Sequence, residues 1–387
     1  VSAETQASIV SARLRVLRAA TGDGIAMSFA PLTHRSMVLV ELATADGRVG
    51  FGESWTNYPA WATTERVATL REGVLPLVLG QDSRRITELQ RRLVAALEPV
   101  GRQWGAPGPI MQAISAVDIA LWDLHGRTAG QAISSLVGGR VRDESPVYAS
   151  SLGPKGVAQQ GKRCVNDGHT AVKVKLGFDR ERDERILAEA REAIGPDIEL
   201  YADANQAWSV DEAARMAPVL AAFDVAWLEE PVRGNRLDEL EELHRRTGMM
   251  IATGENVYGR EEFRRYAASP AIAILQPDIA KTGGFTEALA ICQLADAYRK
   301  PVLPHLYGGA VAFAATLQLA ACAPAVQGVE YDIRDNPLRD PLLIDAPRPR
   351  RGRIPLPTGS GLGIDLDPSA VLKRTEPEDP SEEELSA

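Results

Sequence analysis

Residues 199 to 231 read ELYADANQAWSVDEAARMAPVLAAFDVAWLEEP. The stretch divides into three pieces. Residues 199–204 form a short apolar run that ends on Asp203. Residues 210–223 carry apolar side chains at three- and four-residue spacing. Residues 225–230 form a second short run that ends on Glu229. Short runs of this kind are strands, and the longer spacing is that of an amphipathic helix. A strand–helix–strand unit places its two strands parallel in one sheet.

The rhythm repeats from about Val147. Strand-like runs stand at 147–150, 171–176, 199–204, 225–230, 250–254, 271–276, 301–305 and 328–331. Helical patterns lie between them, among them 180–194, 210–223, 236–247, 285–299 and 310–323, with Pro196, Asp197, Gly248, Pro270 and Pro301 at their ends. Eight such units imply an α/β fold of the TIM-barrel type. An open doubly wound sheet would want a glycine-rich phosphate loop after an early strand, and the sequence has none.

The N-terminal part reads differently. Residues 9–18 and 36–44 alternate like antiparallel strands, and Asp46-Gly47 is a hairpin turn signal leading into 49–52. Helical patterns follow at 63–79, 83–97 and 112–128. The expected organisation is an α+β domain over 1–140, a barrel over 141–332, a segment over 333–370 that returns to the first domain, and a disordered acidic tail over 371–387.

The 387 residues carry a net charge of −9, with 45% hydrophobic and 25% charged side chains. That balance builds a large core and disfavours nucleic acid or an anionic membrane as partner. No run of about 20 apolar residues suggests a membrane span. Cys164, Cys292 and Cys322 are odd in number and widely separated, as in a chain kept reduced in the cytoplasm.

In a barrel of this type, chemistry sits at the C-terminal ends of the strands. The runs end in Lys173-Val-Lys175, Asp203-Ala-Asn205, Glu229-Glu230-Pro231, Gly254-Glu255-Asn256, Pro277-Asp278 with Lys281 beyond, Pro304-His305 and Glu330. Asp203, Glu229 and Glu255 are one strand–helix unit apart. Three carboxylates on one mouth require a neutralising charge, which a hard divalent cation such as Mg²⁺ supplies. With no His or Cys in the set, Zn²⁺ fits less well. Lys173 and Lys175 face the same way on their strand, and mutual repulsion is expected to make a lysine there a usable base. Asp278 is placed to orient His305. Glu330, if protonated, and Lys173 would stabilise an enolate. Ser150 and Ser151 are candidates to bind substrate.

These motifs together resemble the enolase superfamily, in particular its mandelate racemase subgroup, over about residues 9 to 367. The resemblance implies a modified (β/α)7β barrel with an N-terminal α+β capping domain. It implies Mg²⁺ on Asp203, Glu229 (rather than Glu230) and Glu255, with Asn205 beside it. It also implies Lys175 as one base, His305 with Asp278 as the other, and Lys173 and Glu330 at the substrate carboxylate. The implied reaction begins with removal of the α-proton of a small carboxylic acid. Within the subgroup, dehydration of a sugar acid to a 2-keto-3-deoxy acid is favoured. The alternatives are racemisation of a mandelate-like α-hydroxy acid and a barrel that only binds. The resemblance further implies a homo-oligomer. Specificity is expected in capping loops at 21–32, with Met27 and Phe29, and at 54–62, with Trp55, Tyr58 and Trp61. His34 and Arg35 are placed to meet a second polar group.

Overall fold

In the computed structural model the described residues are 6–26, 31–376 and 385–386. The N-terminal domain is built on three antiparallel strands, β1 (Ile9–Ala26), β2 (Pro31–Thr44) and β3 (Val49–Trp55). One face carries Leu14, Val16, Val38 and Val40, which bury against Ile114, Val117 and Leu121. The last three belong to α3 (Pro107–Ala129), which follows α1 (Ala62–Ala68) and α2 (Ile86–Trp104). Helix α3 lies directly on β3. A Cβ added at Gly50 would stand 2.3 Å from the Ala120 carbonyl oxygen, and one at Gly52 would stand 1.8 Å from that of Ala116. Glycine is therefore required at both places.

Two expectations change here. The single helix read at 63–79 is α1 followed by a wide turn at Thr69–Val74 and a tight one at Leu75–Leu77. Pro76 cannot donate to the α-helical ladder, so the helix changes pitch on reaching it. The strands β1 and β2 run past the alternating pattern, with Ile25 opposite Leu32 and Ala26 opposite Pro31. The supposed loop at 21–32 is thus largely the outer arm of a hairpin. Met27 and Phe29 lie outside the described residues.

The second domain is the barrel. Its parallel strands are β4 (Glu144–Leu152), β5 (Ala171–Lys175), β6 (Glu199–Asp203), β7 (Val225–Glu229), β8 (Ile251–Thr253), β9 (Ile272–Leu275) and β10 (Val329–Asp332), in that order, with β10 back beside β4. The seventh expected strand, 301–305, is reduced to Val302, which bridges Leu275 on one side and Val326 on the other. Pro301 and Pro304 flank it and have no N–H to donate, so the ladder extends no further. After the short α4 (Ile133–Leu136), helices α5 (Val157–Asn166), α6 (Arg180–Ile194), α7 (Val210–Ala222), α8 (Leu237–Thr247), α9 (Gly259–Ala268), α10 (Gly284–Ala297) and α11 (Ala310–Cys322) cover the outside. Their starts match sequence chemistry. Asp179 caps α6, and Ser209 with Glu212 forms a reciprocal capping box on α7. Helix α11 has almost no polar face because it is enclosed on all sides, packing on β3 as well as on the barrel. Glu53 of β3, fully buried, accepts the Gly309 N–H at 2.5 Å and the Ala312 N–H at 2.9 Å. One capping strand therefore closes off the start of a barrel helix.

The C-terminal segment does more than return to the first domain. β11 (Arg353–Pro355) pairs antiparallel with β4 of the barrel, and only then does the chain cross to β1. There α12 (Pro368–Arg374) begins on an Asp367 cap, Thr375 bridges Leu17, and β12 (Leu385–Ser386) pairs with β1 at Ser11 and Ala12. The expectation of disorder over 371–387 is wrong at these residues. Burial of Val371 and strand pairing hold a stretch whose composition alone is that of a tail. Residues 377–384 and 387 lie outside the described residues. Among the described residues no helix is long and apolar enough to cross a membrane.

Candidate active site

The register of the barrel lays out the floor of the site. Lys175 stands opposite Asp203, and Asp203 opposite Glu229, so three strands contribute to one rung. A layer below, Tyr148, Tyr201 and Trp227 fill the barrel interior, with Tyr201 and Trp227 stacked at 4.3 Å between ring centroids. The fully buried Lys173 lies over the Tyr148 ring. Its ammonium donates to Glu229 Oε2 at 2.6 Å and lies 2.9 Å from Glu330 Oε1 and 3.9 Å from Asp203. Lys175 donates to Asp203. Gln276 Nε2 donates to Glu229 Oε2 at 2.7 Å, while Glu229 Oε1 is buried with no hydrogen-bond partner among the described residues.

The opposite side is built around His305. Its Nδ1 is 2.7 Å from Asp278 Oδ2 and its Nε2 is 2.8 Å from Glu255 Oε2. Asp278 is itself fixed, because its Oδ1 accepts the Ala280 N–H at 2.8 Å. Glu330 accepts the Ser150 hydroxyl and the Leu306 N–H at 3.1 Å.

Both sides open into one cavity of about 640 Å³, lined by Lys175, Asn205, Glu230, Glu255, Asn256, Lys281, His305 and Glu330 below, and by Trp55, Tyr58, Tyr258, Tyr307 and residues 105–109 above. The strand ends around it are backbone-strained. Ser151, Asn205, Gln206 and Glu230 all have left-handed φ, between 38° and 70°, a conformation that concentrates at functional sites.

The electrostatics correct two expectations. Burial disfavours the charge on Lys175, and Lys173 adds to that, but Asp203 together with Glu229 and Glu330 outweighs both, and its pKa is raised rather than lowered. Burial likewise works against charge on Glu330, yet Lys173 and His305 win and hold it down at about 2. Glu330 is therefore an ionised acceptor here and not a protonated donor. Glu229 goes the other way, to about 7, through burial and the neighbouring Asp203. His305 loses affinity for its proton through burial, but Glu255 and Asp278 more than restore it and raise its pKa well above the ordinary value.

Asp203, Glu229 and Glu255 stand on consecutive strand ends as expected. Their oxygens do not surround one point, and among the described residues no trio of His, Cys, Asp or Glu side chains is arranged to hold a metal ion. Each carboxylate is instead turned onto a base of the chain: Lys175, Lys173 and His305 respectively. The donor set still fits a hard divalent ion. It is all oxygen, and one buried oxygen, Glu229 Oε1, has no hydrogen-bond partner among the described residues.

Of the other sequence candidates, Trp55 and Tyr58 line the cavity, as does Asn205, whose amide donates to Asp203 Oδ2 at 3.1 Å. Trp61 is 68% exposed and does not line it. Ser150 is engaged by Glu330, and Ser151, though buried, does not line the cavity. His34 is exposed, and Arg35 is buried against Asp332 with Tyr307 beneath its guanidinium.

Residues 156–370 match the model described as "Enolase C-terminal domain-like", and residues 11–138 match that of the "Mandelate racemase / muconate lactonizing enzyme, N-terminal domain". The chain belongs to the mandelate racemase/muconate lactonizing enzyme family. D-Galactarolactone cycloisomerase of Agrobacterium fabrum is 33% identical over 356 residues, covering 88% of this chain and 91% of the relative. Arabinonate dehydratase of Saccharolobus solfataricus is 30% identical over 337 residues, covering 85% and 88%. A crystal structure of a racemase from Streptomyces coelicolor with bound magnesium superposes with a TM-score of 0.85 at 26% identity, covering 95% of this chain and all of that one. The chain is thus similar to a cycloisomerase, to a sugar-acid dehydratase and, in structure, to a racemase with bound magnesium.

The surroundings of Glu230 and the capping residues 105–109 were not read from the sequence, though both belong to the cavity. Glu230 is buried and raised to about 8 by burial and by Glu255. It accepts from Gln206 at 2.8 Å, from Asn235 at 3.3 Å and from Asn256 at 3.1 Å. These amides occupy its oxygens, whereas the adjacent Glu229 faces the lysines. Of the pair, it is Glu229 that keeps an oxygen, Oε1, without a hydrogen-bond partner among the described residues. The capping residues 105–109 could have been found from Gly105-Ala-Pro-Gly-Pro109, a breaker cluster between two helices.

Proposed function

We propose that this chain is a Mg²⁺-dependent hydro-lyase that dehydrates a sugar acid to a 2-keto-3-deoxy acid. The observation that carries the reading is that Lys175 and His305 line one cavity from opposite sides of the barrel mouth, with the carboxylates between them. Charge bookkeeping supports the cation. Asp203, Glu229, Glu230, Glu255, Asp278 and Glu330 contribute −6 if ionised, while Lys173, Lys175, Lys281 and protonated His305 contribute +4, leaving −2 in a buried site. Asp203, Glu229 and Glu255 would hold the ion. Bound there, it would polarise the substrate carboxylate and offset the second negative charge of the enolate.

The chain's own groups perform the proton transfers. Lys175 takes the α-proton once Asp203 no longer holds its charge, since burial and Lys173 already favour the neutral amine. Lys173 stays charged next to the carboxylate oxygens. His305, kept protonated by Glu255 and Asp278, gives its proton to the departing β-hydroxyl. The substrate loses one proton and one hydroxyl as water, and the resulting enol tautomerises to the keto acid. Glu53 and the interlocked domains keep the capping aromatics Trp55 and Tyr58 over the reacting groups, excluding bulk water.

The test is incubation of the Mg²⁺-loaded protein with a library of aldonic and aldaric acids, their lactones and mandelate-like acids in D₂O. Formation of a 2-keto acid supports the proposal. Deuterium at the α-carbon without a keto product, or lactone isomerisation alone, replaces it with racemase or cycloisomerase chemistry.

A further inference from the structure

The short turn after β9 makes two deliveries. The Lys281 and Thr282 N–H groups donate to the Asp278 carbonyl at 2.9 and 2.8 Å, which folds the chain back over Asp278. Asp278 thereby reaches His305, and Lys281 reaches across to the neighbouring strand end. Lys281 is 2% exposed. Its ammonium donates to Asn256 Oδ1 at 2.9 Å and lies 3.5 Å from Glu255 Oε1. With Oδ1 so engaged, the Asn256 amide must present its NH₂ to the other side, where it donates to Glu255 Oε1 at 3.0 Å and to both oxygens of Glu230 at 3.1 and 3.2 Å. The third face of the ammonium is covered by the capping domain, whose Trp55 ring centroid lies 4.7 Å from Nζ. Lys281 is the group that touches both the carboxylate proposed as a metal ligand and the aromatic lid.

We propose that Lys281 is a positioning residue that couples the seating of Trp55 to the availability of Glu255 for the metal, an inference that rests on the metal reading above. The ammonium is shared between Asn256 and the indole face, which keeps it at a long distance from Glu255. Remove the indole and the ammonium settles on Glu255, where it competes with a cation for the same oxygen. The lid thereby reports its position to the metal site through a single side chain, and Trp55 tunes metal affinity without touching the ion's ligands.

The experiment is a double-mutant cycle on the full chain, reading Mg²⁺ affinity by isothermal titration calorimetry and fold by circular dichroism. Trp55→Leu is expected to weaken Mg²⁺ binding about threefold to fivefold, the size of a partly buried cation–π contact. Trp55→Phe, which keeps an aromatic face, should stay within about twofold of the wild type. In a Lys281→Met background, Trp55→Leu should have no further effect on Mg²⁺ affinity, because the messenger is gone. Additive effects, or an unchanged affinity in Trp55→Leu with the fold intact, overturn the coupling. Absence of Mg²⁺ binding by the wild type would instead overturn the metal reading. If Lys281→Met does not fold, Lys281→Arg serves in its place, and it should reduce the Trp55→Leu effect without abolishing it.

Discussion

Glu53→Gln should flatten the pH dependence of the protein's stability. Glu53 is enclosed between β3 and the start of α11. Burial drives its pKa up from 4.5 to about 7, against the pull of the Ala312 and Gly309 N–H groups, with Asp278 adding to the rise. Between those two values the folded state binds a proton that the unfolded chain has released, so stability falls as pH rises from about 4.5 to 7 and stays lowered above that. At about 1.4 kcal/mol per tenfold change in proton affinity, the loss is roughly 3 kcal/mol. With an unfolding entropy of about 2 cal/mol/K per residue over 387 residues, that corresponds to about 4 °C in Tm. Gln cannot ionise, so the variant lacks this loss, although it gives up one backbone acceptor at every pH. Differential scanning calorimetry of both proteins at pH 5 and pH 7.5 should show the Tm difference, variant minus wild type, increasing by about 3 °C at the higher pH, since part of the loss already lies below pH 5. Parallel profiles would refute the reasoning, because they would mean that Glu53 ionises as readily in the folded state as in the unfolded one.

Lys175→Ala and His305→Ala should each lower dehydration by about 10³-fold or more while Mg²⁺ binding measured by calorimetry persists; full activity in either variant would remove the two-base reading. Treatment with a chelator should abolish turnover, and Mg²⁺ should restore it, as followed by appearance of the keto acid. Gly254→Ala should destabilise the fold by about 3 kcal/mol or more, as read by urea unfolding. Gly254 has φ of +148°, and its added Cβ would stand 2.7 Å from the Gln276 backbone.

Most of the architecture was legible because barrel strands and helices have different periods and because the chemistry recurs once per unit. Asp203, Glu229 and Glu255 were found by position alone, and Lys173, Lys175, Asp278, His305 and Glu330 by standing at strand ends. What the sequence did not show depends on partners brought from elsewhere in the chain. The direction of the Lys175 shift turns on three carboxylates from other strands, Asp203, Glu229 and Glu330, outweighing burial and Lys173. Glu330 is an ionised acceptor because Lys173 and Ser150 surround it. Lys281 lay in view three residues past Asp278, yet its meaning depends on Trp55, more than two hundred positions earlier in the chain. The seventh strand was read as an ordinary run although its prolines already limited the ladder it could form.

That shortened strand has a consequence for how the barrel breathes. Seven neighbouring strands form a continuous belt, and the buckle is one residue, Val302, held by a bridge to each side. His305 is carried three positions beyond the buckle, whereas Lys175 ends a regularly paired strand. If amide exchange were followed across the mouth, the seam between β9 and β10 should release its protons before the Lys175 side does. Of the two proposed bases, the one poised to meet the leaving group therefore hangs on the looser joint, and a barrel of this kind can adjust one face of its substrate while the other stays fixed.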